Sequence, residues 1–133
     1  MPGMEAASSY TDLRRQEADS PKRLYAIDAV CTPESPVDDI TTLTDLAIDA
    51  VRAGNGHVLD TSHVIFPNGA ITLVLILAES HLSVHTWPEE SLIAIDLFSC
   101  GAIDGQRVIG ELTAALRLQD ITVAEIPRGL PGS

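Results

Sequence analysis

One stretch of the chain concentrates residues that can do chemistry: Glu79-Ser80-His81-Leu82-Ser83-Val84-His85-Thr86-Trp87-Pro88-Glu89. It holds two of the four histidines, two serines, two carboxylates and the only tryptophan. It sits between strongly apolar runs, where ionisable groups are costly unless paired, so such clusters often mark sites. Three chemistries suit these residue types. Glu79, His81 and His85 would share one face of an extended strand, and imidazole with carboxylate suits zinc, with His57 and His63 as loose further ligands. Ser80 or Ser83 could be a hydrolase nucleophile with His85 as base, although no G-x-S-x-G elbow is present. A serine could also be the source of an electrophile that the protein makes from itself. Against all three stands the plain alternative of strand-end residues with a solvated face.

The surrounding pattern supplies elements to hold this stretch. Residues 24–31 form a short apolar run of strand length, broken by Pro33 and Pro36. Ile40, Leu43, Ala47, Ala50 and Val51 recur at helical spacing, which predicts a helix over 38–53. Asp38 or Asp39 would cap it and Gly54 would end it. Runs at 57–66 and 70–79, separated by Pro67-Asn68-Gly69, read as strand, turn, strand. Residues 81–86 and 91–99 read as two more strands, with Pro88 between them. Asp104-Gly105 introduces Val108, Ile109, Leu112, Ala115 and Leu116, a second amphipathic helix, and 121–126 is a last short strand. The order predicts an α+β fold, a two-layer α/β sandwich whose mostly antiparallel sheet carries two helices on one face. Residues 1–21 are polar and aperiodic and read as a flexible tail; 22–129 form a single domain; 130–133 read as a frayed end.

Composition bounds the function. The 133 residues carry 19 acids and 8 bases, a formal charge of −11. That balance argues against a nucleic-acid binder, which needs a basic face, and against docking on an anionic membrane. At 45% hydrophobic but only 4% aromatic, the core must be aliphatic. The longest nearly pure apolar run, residues 70–78, is too short for a membrane span, which needs roughly 20 residues. Cys31 and Cys100 are too few for a disulfide scaffold. The first residues lack the apolar region of a secretory signal. A cytoplasmic protein with reduced thiols is expected. The phosphate-cradling GxxxxGK[ST] and GxGxxG patterns are missing.

The run ESHLSVHTWPE, followed by Phe98-Ser99-Cys100-Gly101, resembles the short prokaryotic S-adenosylmethionine decarboxylases. Those proenzymes carry ESH-[LI]-[ST]-[IV]-HT-[WY]-PE and, further on, F-[ST]-C-G. The spacings agree: His85 lies five residues after Ser80, and Cys100 twenty after it. A weaker resemblance runs from about Arg23 to Arg128-Gly129. The resemblance implies self-cleavage between Glu79 and Ser80. Ser80 would attack the preceding carbonyl, and His85 would act as the processing base that helps eliminate the ester. A covalent pyruvoyl group would remain on the new N-terminus, doing the work of pyridoxal phosphate without that cofactor and without a metal. It would form a Schiff base with the substrate amine. Cys100 stands at the family's proton-donor position, and a thiol with pKa near 8.5 is mostly protonated at neutral pH. Thr72, eight residues before Ser80, would assist processing by its hydroxyl. Cys31 reads as packing.

By the same resemblance Phe66 and Trp87 would flank an adenine, and Glu89 would hold ribose hydroxyls. The pocket wall departs from the family pattern: Glu90-Ser91-Leu92 follows TWPE where Gly-Tyr is common, and Leu73 replaces a glycine. The implied reaction is decarboxylation of S-adenosylmethionine for polyamine (spermidine) synthesis. Alternatives are the same chemistry on arginine or ornithine, or a non-catalytic binding homologue. Family members of this length act as homodimers of processed protomers with sites at or near the subunit interface, which fits a sheet whose second face needs a cover. Twelve acids against five bases precede the expected cut, and seven against three follow it, so both pieces are acidic. That suits a small cationic substrate.

Overall fold

The computed structural model describes residues 20–131. The expected tail thus lies outside the described residues except for Ser20 and Pro21, and the expected frayed end except for Leu130 and Pro131. Six strands and two helices follow in the order β1 (Lys22–Val30), α1 (Ile40–Ala53), β2 (Val58–Ile65), β3 (Ile71–Leu77), β4 (Ser80–Trp87), β5 (Leu92–Cys100), α2 (Gly105–Ala115) and β6 (Gln119–Arg128). The strands form one antiparallel sheet in the order β2-β3-β4-β5-β1-β6. The α+β sandwich expected from the pattern is the observed fold. No helix among the described residues is long and apolar enough to cross a membrane.

Period-two alternation puts the core on one face of the sheet. Tyr25, Ile27 and Ala29 on β1 stand opposite Leu97, Ile95 and Ile93 on β5. Leu82 and Val84 on β4 continue those rows to Leu75 and Leu73 on β3. This face packs with Leu43, Ala47 and Val51 of α1 and Val108, Leu112 and Leu116 of α2 in one buried cluster. The helix ends follow from their caps. Asp39 accepts hydrogen bonds from the Thr41 N–H (3.2 Å) and the Thr42 hydroxyl (2.7 Å), and Asp104 accepts one from the Arg107 N–H at 3.1 Å. α2 approaches β1 so closely that a Cβ on Gly105 would fall 2.4 Å from the Tyr25 ring.

The opposite face of the sheet is different. Leu24, Ala26, Val74, Leu92, Ala94 and Phe98 are half-buried there, and Ile76 is 46% exposed. Neither helix lies over this face. On the same face, by register, lie His81, Ser83, His85 and Asp96.

Two boundaries differ from the pattern reading, and one bears on function. The run 70–79 is not a single strand. β3 stops at Leu77, which pairs with Ser80, and Ala78-Glu79 make a two-residue turn. The sequence does not mark that turn, because Ala78 and Glu79 are not turn-forming types and both are buried. The last strand is longer than 121–126. It pairs with β1 from Gln119 to Arg128 and ends at Gly129, whose φ of +111° suits glycine.

Candidate active site

The turn between β3 and β4 places Glu79 and Ser80 beside the end of β5. The Cys100 thiol donates a hydrogen bond to the Glu79 carbonyl oxygen at 3.0 Å. Ser80 has φ +147°, a region that residues with a Cβ rarely adopt. A two-residue hairpin normally relies on positive φ within the turn. Here Ala78 and Glu79 do not take it, and Ser80 does. The unfavourable backbone thus falls on the residue after the Glu79–Ser80 peptide.

The Glu79 side chain, 1% exposed, points back to the start of β2. Its Oε1 accepts from the His57 main-chain N–H at 2.9 Å and its Oε2 meets His57 Nδ1 at 2.7 Å. A carboxylate can only accept, so the ring nitrogen donates. The Ala78 N–H in turn donates to the His57 carbonyl at 2.9 Å. Glu79 is therefore committed to His57 and does not join His81 and His85 as a ligand set. Among the described residues no group of three or more His, Cys, Asp or Glu could hold a metal ion.

A second cluster gathers at the far end of β4. Thr72 and His85 are register partners, with Thr72 Oγ1 and His85 Nδ1 3.3 Å apart. The His85 and Trp87 rings lie with centroids 6.2 Å apart. Glu89, in the 3-10 turn Pro88–Glu90, accepts a hydrogen bond from Asn68 Nδ2 at 3.2 Å. Phe66 closes the group from the end of β2. Together Phe66, Asn68, Thr72, His85, Trp87 and Glu89 line a cleft of about 600 Å³. Phe66 is 47% and Trp87 37% exposed, so neither is a core aromatic.

The residues read from the sequence therefore fall into two groups. Glu79, Ser80 and Cys100 meet at one end; Phe66, Thr72, His85, Trp87 and Glu89 meet at the other. His85 does not reach Ser80 within one chain, because five residues of extended strand separate them by about 16 Å. From the sequence alone His57 stands only as a loose metal ligand, and Asn68 is not among the expected site residues. A buried carboxylate at position 79 demands a partner, but nothing in the sequence says which. Cys31 packs against the core, and burial, then the Asp38 carboxylate, push its thiol pKa up. That agrees with a packing role.

A family model described as S-adenosylmethionine decarboxylase matches residues 23–129. The S-adenosylmethionine decarboxylase proenzyme of Pseudomonas paraeruginosa is 34% identical over 96 residues, 71% of this chain and 60% of the relative. The chain thus spans less than two thirds of that relative. The proenzyme of Pyrococcus horikoshii is 30% identical over 107 residues, 80% of this chain and 77% of its own length. A crystal structure of the adenosylmethionine decarboxylase from Aquifex aeolicus matches with a TM-score of 0.71 at 25% identity, covering 85% of this chain and 94% of that one.

Proposed function

The chain belongs to the S-adenosylmethionine decarboxylase family, and from that premise we propose that it is a proenzyme that cuts itself between Glu79 and Ser80 and then decarboxylates S-adenosylmethionine. The observation that carries this reading is the Cys100 thiol on the Glu79 carbonyl, beside a serine held at φ +147°. Hydrogen bonding to a carbonyl oxygen polarises it toward attack. Ser80 Oγ adds to that carbon, the peptide C–N bond breaks, and the proton passes from oxygen to nitrogen, leaving an ester with a free Ser80 amine. Loss of the Ser80 Cα proton then expels Glu79 as a free carboxylate. Water replaces the nitrogen as ammonia, leaving the pyruvoyl group. These residues suit that group: a strained serine, a neighbouring proton donor and a scissile turn screened from solvent.

The pyruvoyl carbonyl supplies an electron sink for the substrate amine. The chain's own residues do the rest. Phe66 and Trp87 offer π-faces to an adenine and to the sulfonium. Glu89, held by Asn68, accepts from ribose hydroxyls. Cys100 returns a proton to the carbon that loses CO2.

Division of the residues into two groups supports a homodimer with shared sites. In this arrangement His85, Thr72 and the adenine cleft of one copy serve Ser80 and Cys100 of the other. The uncovered sheet face carries Thr72, His85 and Trp87 by register, and its half-buried apolar residues suit cover by a second copy. The test is release of CO2 from S-adenosylmethionine, arginine and ornithine supplied separately. The reading expects release from S-adenosylmethionine alone. Release from a basic amino acid, or from none of the three by a fully cut protein, overturns it.

A further inference from the structure

His57 lies outside the family's ESH and F-[ST]-C-G motifs, yet it makes three bonds to the two turn residues before Ser80. Its N–H and ring grip the Glu79 carboxylate at 2.9 and 2.7 Å, and its carbonyl accepts the Ala78 N–H at 2.9 Å. On the other side of the same residue, the Glu79 carbonyl is held by Cys100 at 3.0 Å. Glu79 is thus fixed at both its side chain and its acyl group. The positive φ sits one residue later, on Ser80.

We propose that His57 is a positioning residue for self-cleavage: by clamping the Glu79 side chain it fixes the acyl group on Cys100 and keeps the unfavourable backbone conformation at Ser80. The proposal rests on the self-cleavage reading above. A free Glu79 side chain would let the two-residue turn relax. The Ser80 φ would then settle nearer the ordinary extended region, and Ser80 Oγ would lose its fixed approach to the carbonyl. With the clamp in place, moving the acyl group from Ser80 N to Ser80 Oγ breaks the Glu79–Ser80 peptide link while Glu79 stays anchored. The step is an isomerisation: one C–O bond forms, one C–N bond breaks, and a proton moves from oxygen to nitrogen. His57 touches none of the reacting atoms. Its effect is on geometry, and a small misplacement of reacting groups costs up to about a hundredfold in rate.

The test follows cleavage of freshly translated full-length chain by intact mass, for the native sequence, His57→Ala and His57→Asn, with the melting temperature of each uncut chain measured on a Ser80→Ala background. Asparagine places an amide N–H near the position of the histidine Nδ1 and so can rebuild the ring's hydrogen bond. A fourth measurement traps the ester with hydroxylamine in His85→Ala, where elimination is slowed, and in the His57→Ala/His85→Ala double variant. The proposal expects His57→Ala to cut about tenfold to a hundredfold more slowly, His57→Asn to recover most of that loss, and less trapped ester in the double variant. It is overturned if His57→Ala cuts at the native rate. It is equally overturned if His57→Ala and His57→Asn are slow alike with matching drops in melting temperature, or if ester yield is unchanged. If the native chain itself stays whole, the self-cleavage reading fails, which separates that failure from a failure of His57 alone.

Discussion

At the scale of single residues, the two groups of site residues make different predictions. Cys100 contacts the Glu79 carbonyl, and in the proposed reaction it also serves as the later proton donor. Cys100→Ala should still cut itself, more slowly, but the cut protein should lose about 100-fold or more in decarboxylation, as removal of a general acid does. Steady-state CO2 release normalised to the cut fraction checks this; a native rate would remove Cys100 from the reaction. Asn68 anchors Glu89 from the neighbouring turn. Asn68→Ala should raise KM for S-adenosylmethionine several-fold and leave kcat close to native, because the ribose contact is far from the bond that breaks. A fall in kcat with unchanged KM would contradict that placement. The residues in these arguments were unequally legible. Ser80, His85 and Cys100 stand in recognisable motifs. His57 precedes Glu79 by twenty-two residues and reaches it only because β2 and β3 form a hairpin, a relation that spacing does not encode.

At the scale of elements, the caps and the periodicity carried most of the information. Asp39 and Gly54 bound the first helix as their types require, and the apolar positions of both helices face the sheet. What the pattern could not mark was the turn at Ala78-Glu79, which is buried and carries none of the Gly, Pro, Asn or Asp that mark turns. Nor could it show that five residues of strand keep His85 from Ser80; the same spacing on a helix would cover about half that length. Two stability predictions belong here. Hydrogen bonds from the Thr42 hydroxyl and the Thr41 N–H lower the Asp39 pKa below the ordinary carboxylate value. Its stabilising contribution is therefore present above the unfolded-state pKa and is lost as pH falls through the lower folded-state value. Asp39→Ala should melt below the native chain at neutral pH, with the gap closing in acid. A gap independent of pH would contradict a charged cap. Gly105→Ala would drive a methyl group to 2.4 Å from the buried Tyr25 ring and should cost about 1–3 kcal/mol in urea unfolding, the usual penalty for overpacking.

At the scale of the whole molecule, one protomer presents a complete core on one face of its sheet and an uncovered, half-buried face on the other. With the site residues split between the ends of β4, the proposed reaction needs two copies to complete each site. Co-expression tests this directly. Ser80→Ala and His85→Ala chains, each defective alone, should together yield some cut, active protein, because a mixed dimer keeps one site with Ser80 from one copy and His85 from the other. Failure of the mixture, with both chains folded and associated, would place His85 elsewhere in the mechanism. The −11 charge, spread over both sides of the cut, suits a cationic substrate. Everything above depends on the cut itself, and an intact-mass spectrum of the purified protein reads it most directly. Self-cleavage should give two fragments, residues 1–79 and 80–133, the second blocked at its N-terminus and lighter by one ammonia than simple hydrolysis would leave it. A single unsplit chain, or a second fragment beginning with an ordinary serine amine, would contradict it.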